Sequence, residues 1–476
     1  ADPFPETGKA VETSLGELLL NTEQRLDSFY DLATGGWGGK TKSPLPAAVS
    51  YALRRSHSSG DPEWLERAVK TQNRIRDLID PVWGGVAAAT ESGDNPDDWT
   101  KGVANEKKTA LQAGVLANFA ELYHHTGDRR WRQDAERIYS FLNQFLRSPS
   151  GAYYASQDGE PARSITASPA TVRNDYYLMQ DTDRRAHGLP AVDKTVFADI
   201  NARLISALVS LHEATGDDQY LQQAEITATY LVTHHLLPDG WYAQTTQDPP
   251  PRYGERSAER LRQLPGRQKL YLRTQALTGQ ALLALFRATS NPTWLRRAQR
   301  LGEATISYLY DLDDGGFYAT PLMPIKLGER SANYKPFIDN ALMADFLIDL
   351  GRQLSDRRFT ELAETSLRVI SHNQVLQYQG YQLGEYLLTL DKLVHPPVDI
   401  RIVTTSLDQQ TAELHRAALA AYEPTKVIRI ERPGNRQDLG KPAIYACAGE
   451  RCSDPITSPT ALPEELKRLR AELKSE

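Results

Sequence analysis

The sequence predicts a mainly α-helical fold, an (α/α)6 toroid of helical hairpins followed by a small C-terminal α/β module. Three observations lead there. A Ser/Thr-Gly-Asp-x-x-aromatic phrase or a close variant recurs five times between amphipathic runs: Ser59-Gly60-Asp61-Pro62-Glu63-Trp64, Thr126-Gly127-Asp128-Arg129-Arg130-Trp131, Thr215-Gly216-Asp217-Asp218-Gln219-Tyr220, Thr289-Ser290-Asn291-Pro292-Thr293-Trp294 and Leu354-Ser355-Asp356-Arg357-Arg358-Phe359. A small-residue turn next to an aromatic alternates with it, at Gly35-Gly36-Trp37, Trp83-Gly84-Gly85, Gly151-Ala152-Tyr153-Tyr154, Asp239-Gly240-Trp241-Tyr242 and Asp314-Gly315-Gly316-Phe317-Tyr318. At His395-Pro396-Pro397 the helical pattern stops and short β-branched runs begin.

In the phrase, Gly ends one helix in a left-handed cap and Asp or Asn caps the next. The aromatic falls in the new helix's first turns and packs back on the old one. Helices are expected over 14–32, 46–57, 62–79, 107–125, 129–146, 197–214, 218–235, 269–288, 292–309, 338–353, 357–371 and 379–394. Apolar residues at helical spacing, such as Leu204, Ile205, Leu208 and Leu211, support them. The repeat of about 65 to 90 residues is too long for common helical solenoids and suits hairpins closed into a ring. Residues 1–396 form the expected toroid, with insertions near 159–192 and 245–267, the latter carrying Pro249-Pro250-Pro251 and five arginines. Residues 397–476 form the module: strands at 398–404, 426–430 and 443–446, helices at 407–422 and 462–473.

Composition narrows the function. A formal net charge of −6 argues against nucleic acid as a partner. No apolar run approaches the roughly 20 residues that span a bilayer, so no transmembrane segment is expected. If the start at Ala1 reflects signal cleavage, the protein is exported to a periplasm, lumen or extracellular space; otherwise it is cytoplasmic. The only cysteines, Cys447 and Cys452, form a local disulfide in an oxidising compartment or remain two free thiols. No metal site and no cofactor is expected, since no second Cys or His pair of ligand spacing lies nearby. His124-His125 and His234-His235 end helices, where a cation suits the dipole.

Several segments resemble the thioredoxin-domain-containing family that includes spermatogenesis-associated protein 20. The family's Gly-Gly-Phe-Gly-Gly-x-x-Lys-Phe-Pro is similar to Gly35–Pro44, its Gly-Gly-Phe-Tyr-Ser-Ala-Gln-Asp to Gly151–Asp158, and its Asp-Lys-x-x-Thr-x-Trp-Asn-Gly loosely to 193–201. Its ending, Ala-Tyr-Val-Cys-x-x-x-x-Cys-x-x-Pro-Val-Thr, is similar to Ala443–Thr457, the most specific match. The resemblance implies an (α/α)6 barrel like those of N-acylglucosamine 2-epimerase and the six-hairpin glycosidases. The family's N-terminal thioredoxin-like domain has no counterpart here. Its Gly-Gly-Phe-His-Arg-Tyr loop stands as Gly84–Ala89, without the His and Arg, and its Pro-His-Phe-Glu-Lys-Met as Val103–Lys108, keeping Glu106 and Lys107.

Sugar-active toroids use paired carboxylates for acid and base and aromatic faces for stacking. Candidate catalytic carboxylates are Glu106, Asp158, Asp199 and Asp339, of which Glu106 and Asp158 keep the family's motif letters; the alternative is that such residues cap helices or brace loops. Candidate stacking residues are Trp37, Trp83, Tyr153, Tyr154 and Trp241, with Trp99 and Phe317 nearby; the alternative is that they plug the loops. The leading expectation is a non-catalytic interaction or assembly protein, with a protein partner bound at a rim or through the module. A carbohydrate-active enzyme with a sugar ligand in the funnel is the alternative, and a redox protein using Cys447 and Cys452 a third.

Overall fold

All five joints fold by the expected capping chemistry. Gly60, Gly127 and Gly216 end their helices in the left-handed region, with φ of 77°, 71° and 71°, and Ser290 and Ser355 take the same conformation at 54° and 57°. The next residue accepts the backbone N–H two positions on: Asp61 from Glu63, Asp128 from Arg130, Asp217 from Gln219, Asn291 from Thr293 and Asp356 from Arg358. Trp64, Trp131, Tyr220, Trp294 and Phe359 are buried one turn later. The computed structural model describes residues 9–39, 41–90, 99, 103–161, 176–246, 270–321, 334–434 and 440–474. Most of the 245–267 insertion, including Pro249-Pro250-Pro251, lies outside the described residues, as do 162–175 of the 159–192 insertion.

The twelve expected helices are all present among the described residues. Six form an inner ring: Pro46–Ser59, Thr109–Thr126, Ala198–Thr215, Leu272–Thr289, Phe337–Leu354 and Gly384–Val394. Each packs on the next, and the last packs on the first, so the ring closes. Outside it lie Leu15–Asp27, Pro62–Asp77, Arg129–Phe141, Asp218–His234, Pro292–Leu309 and Arg357–Ile370, and the N-terminal helix packs on the last inner one. At the closure, a Cβ on Gly384 would lie 2.5 Å from the Ala47 carbonyl carbon, so only glycine lets these backbones meet. The helix expected over 379–394 starts at Gly384, after a separate short helix Asn373–Gln379 that ends before Gly380, whose φ is 58°.

One side-chain contact recurs around the ring. At the fourth residue of four inner helices an amide grips both backbone groups of a long-loop residue. Gln112 accepts from Val86 N–H (2.6 Å) and donates to its C=O (2.7 Å). Asn201 does the same to Tyr153, Gln275 to Tyr242 and Asn340 to Phe317. Three long loops carry a second brace, an Asp that accepts two loop N–H groups and pairs with a cation from farther along the chain: Asp31 with Lys42 (2.9 Å), Asp80 with Arg184 (2.6 Å) and Asp311 with Lys335 (2.7 Å). Arg184 lies on the short helix Asp181–His187, so this part of the 159–192 insertion is anchored to the second loop.

The helical periodicity missed a small sheet. Lys107–Lys108, Ser156–Pro161 and Pro190–Asp193 form three antiparallel strands, so the helix expected from 107 starts at Thr109. These strands are too short, and too rich in charge and glycine, to show an alternating pattern.

After Val394 a second hydrophobic cluster forms around Val398, Ile400, Leu414, Ile444 and Leu466. Its sheet runs in the order Val427–Glu431, Val398–Val403, Ala443–Ala448, Arg451–Cys452, the first pair parallel and the others antiparallel, with helices Gln409–Ala420 and Leu462–Lys474. Cys447 and Cys452 are joined as a disulfide across paired strands.

This C-terminal unit covers the C-terminal ends of the inner helices. Lys426 reaches Glu213 (3.6 Å), the Tyr422 hydroxyl donates to Glu121 (3.3 Å), and Arg429 donates to the Arg352 carbonyl. His124 and His125 pack on the Tyr422 ring. Burial pushes both histidines down to about 4, so they are neutral at pH 7; the expectation that they serve as dipole-facing cations is corrected.

Two stability changes follow. Ser355→Gly, which removes the Cβ penalty of the left-handed cap, raises stability by about 1 kcal/mol in denaturant unfolding. Asn340→Leu leaves the Phe317 N–H and C=O buried without partners and lowers it by about 3 kcal/mol by the same measurement.

Candidate functional site

Because short turns and long loops alternate, the inner helices are parallel, and all six begin on the long-loop rim. The amide at the fourth position points outward to the loop. The second position lies about 200° around the helix from it, which turns it towards the ring's axis. That position holds Asp199, Arg273 and Glu385 on the third, fourth and sixth inner helices, with Asp339 at the third position of the fifth.

These side chains meet. Arg273 Nε donates to Asp339 Oδ1 at 2.7 Å, between neighbouring helices. Arg203, one turn below Asp199, donates to Glu385 Oε1 at 3.0 Å. Their helices are third and sixth in the ring, so this ion pair spans the lumen and narrows it below the mouth.

Asp199 is 8% exposed, and its Oδ1 is buried with no hydrogen-bond partner. Burial raises its pKa against opposing contacts with the Ile200 N–H, the Gln244 side chain and Arg273. Asp339 is also raised, by burial first, with Arg273 opposing and the Asp199 charge adding. The two carboxyls therefore share one electrostatic environment around Arg273. Tyr334 is raised by partial burial and by the Asp339 charge, which places it beside the same group. Tyr271, Tyr334 and Tyr378 are 38%, 39% and 51% exposed.

The other two candidate carboxylates sit elsewhere on the rim. Asp158 lies on the strand Ser156–Pro161 and Glu106 just before the facing strand Lys107–Lys108, next to the paired Lys107 and Gln157. Glu106 is ion-paired to Lys108 at 3.1 Å. Lys107 is buried against the Tyr177 ring (4.6 Å), and burial pushes it down to about 8.

The expected stacking platform is corrected. Trp37, Trp83, Tyr153 and Trp241 are buried, as are Trp99 and Phe317. Trp37 packs edge-on to Tyr30, Trp83 against Phe145 and Trp241 against Tyr308, and Tyr153 donates to Asn143 (2.7 Å). Their ring faces go into loop packing because a long loop between helices has its own apolar gap to fill. Tyr154 is half-buried.

Sequence reasoning found Asp199 and Asp339 and missed Arg203, Arg273, Glu385, Tyr334 and Tyr378. One signal was available: two residues before each clamping amide is a position that faces the axis. Among the described residues no three or more His, Cys, Asp or Glu side chains converge as a metal site. The cluster provides a carboxyl whose pKa burial raises, a second carboxyl and a guanidinium around one opening, a set suited to acid–base chemistry on a neutral polar ligand.

No family model matches the chain, and no curated protein matches it in sequence. Solved structures do match in shape. A D-mannose isomerase aligns with a TM-score of 0.53 at 14% identity, over 74% of this chain and 85% of its own. A GH76 α-mannanase of Bacteroides thetaiotaomicron aligns at 0.54 and 10% identity, over 80% and 97%. An unsaturated glucuronyl hydrolase specific for heparin aligns at 0.53 and 13%, over 80% and 97%. The chain has the six-hairpin, (α/α)6 toroid fold of these proteins.

The raised Asp199 pKa has a testable sign. The folded protein holds this proton more tightly than the unfolded chain, so ionising it costs stability. The loss begins as pH rises past about 4, the ordinary carboxylate range, and is complete above the raised folded value. Asp199→Asn is therefore expected to melt higher than the parent at pH 7 and to lose that advantage near pH 3, by thermal unfolding across the pH range.

Proposed function

We propose that the protein is carbohydrate-active, binding a sugar at the mouth of the toroid and acting on it by acid–base chemistry, as an epimerase or a glycoside hydrolase does. The observation that carries this reading is the buried, unpartnered Oδ1 of Asp199 beside the Asp339–Arg273 pair. A carboxyl whose pKa burial raises suits a general acid, and a second carboxyl held by a guanidinium suits the base or charge stabiliser. Tyr271, Tyr334 and Tyr378 are partly exposed, and aromatic side chains of this kind suit contact with a sugar. The fold's likeness to a sugar isomerase, an α-mannanase and a glucuronyl hydrolase supports the ligand class. Glu106 and Asp158 stand in this proposal as a second carboxylate pair on the rim, and Tyr154 as a further ring there. An exported location fits the Cys447–Cys452 disulfide. The likeness of Ala443–Thr457 to the ending of the thioredoxin-domain-containing family remains part of the proposal.

A second reading, a non-catalytic interaction or assembly protein on the same scaffold, is favoured by two observations. The Arg203–Glu385 pair crosses the lumen, which limits how deep a ligand can enter. The Gly84–Ala89 loop carries apolar residues where the resembled family has His and Arg.

The two separate in one experiment. A sugar-library thermal-shift screen on the pure protein is run with a turnover assay on the sugars that shift it. The sugar-active reading expects a saturable shift, and a loss of turnover of about 10²- to 10⁴-fold in Asp199→Asn and in Asp339→Asn. No shift with any sugar, together with a stoichiometric protein partner on a C-terminal tag, would sink it in favour of the second.

A further inference from the structure

At the opposite end of the toroid from the mouth, a cavity of about 290 Å³ lies where the C-terminal unit meets the ring. It is lined by Arg54 and His57 on the first inner helix, Asp391 and His395 at the end of the last, Glu423 after Gln409–Ala420, and Arg470 on the final helix. Four segments separate in sequence thus build one pocket.

Its charges are layered. The side chains of Asp391 and Glu423 are 2% and 1% exposed. Those of Arg54, His57, His395 and Arg470 keep 12%, 18%, 41% and 21%. The carboxylates sit behind the cations and orient them. Asp391 accepts from His395 Nδ1 at 3.0 Å, Glu423 accepts from Arg470 Nε at 2.7 Å and again from its Nη2, and His57 Nε2 lies 3.5 Å from Glu423. Arg54 donates to the Leu388 carbonyl at 2.8 Å, covering part of the last inner helix's backbone, and its Nε is buried without a partner. The cavity therefore gathers four cation-capable groups, two of them guanidinium: Arg470, His57 and His395 are held by the carboxylates, and Arg54 by the Leu388 carbonyl. Such groups, held by buried carboxylates, match the oxygens of a compact oxyanion.

We propose that this cavity binds a phosphate-bearing small molecule, held by Arg54, Arg470, His57 and His395. It joins the ring to the C-terminal unit, so an occupant also ties the two together. The Asp391 hydrogen bond raises the His395 pKa, against burial, and favours the protonated donor such a ligand needs. This site does not depend on the sugar reading of the mouth.

The test is calorimetric titration and thermal unfolding of the whole protein at pH 6.5. Inorganic phosphate and a sugar monophosphate are each compared with chloride at matched ionic strength. Saturable binding and a concentration-dependent rise in melting temperature are expected. Affinity should fall at least tenfold in the His57→Gln/His395→Gln double variant and stay unchanged in Asp339→Asn at the mouth. Tighter binding of the ester identifies an organic phosphate as occupant, and equal binding identifies free phosphate. A phosphate effect no larger than chloride's, or one untouched in the double variant, overturns the proposal. If the double variant does not fold, the side-chain NMR signals of His57 and His395 in the parent protein decide: they must move on phosphate addition, and stationary signals overturn it.

Discussion

The architecture depends on the buried amide at the fourth position of an inner helix. A long loop crossing the rim carries backbone N–H and C=O groups that water cannot reach once the rings pack. Gln112, Asn201, Gln275 and Asn340 each supply one donor and one acceptor in the fixed geometry of a primary amide, so both groups of one loop residue are satisfied by a single side chain. The loop is thereby locked to the inner helix, and its aromatic is driven into the gap beneath it. This explains why residues that read as a sugar-stacking set are plugs. The same clamp sets the rotation of the inner helix and so decides which residues face the axis.

The two ends of the ring differ because its inner helices are parallel. At the N-terminal end, first-turn residues from neighbouring helices converge, and Asp199, Arg273 and Asp339 form a charged opening above the Arg203–Glu385 cross-pair. At the C-terminal end the chain returns as an α/β unit that closes the floor. Its Tyr422 reaches Glu121, whose pKa burial raises to about 6 against contacts with Ser50, Arg54 and Tyr422. Lys426 meets the Glu213–Arg287 pair there. At the Glu213–Arg287–Lys426 cluster little substitution is tolerated, because removing one partner leaves another buried and uncompensated. At the mouth, Asp199 keeps a buried carboxylate oxygen without a hydrogen-bond partner.

The helical hairpins were legible because their signals are local. A left-handed cap, an Asn or Asp cap and a buried aromatic fall within six residues, and each acts through its own backbone. Where Ser290 and Ser355 replace glycine, the joint still forms, since the capping Asn291 and Asp356 remain. The small sheet of 107–108, 156–161 and 190–193 was not legible, because its pairing joins segments dozens of residues apart and its strands show no alternation. The close approach of Gly384 to Ala47 across the ring closure was likewise hidden, since it joins the first and last inner helices.

The candidate site divides the same way. By itself the sequence determined the count of hairpins, the chemistry of each turn and the presence of Asp199 and Asp339 at helix starts. Only the tertiary structure decided that these two carboxyls share Arg273, that Arg203 reaches Glu385 across the lumen, and that the tryptophans face inward. The physical reason is that a cap is a contact between a residue and its own neighbours, whereas facing the axis is a property of the closed ring. It appears only when the last inner helix packs against the first.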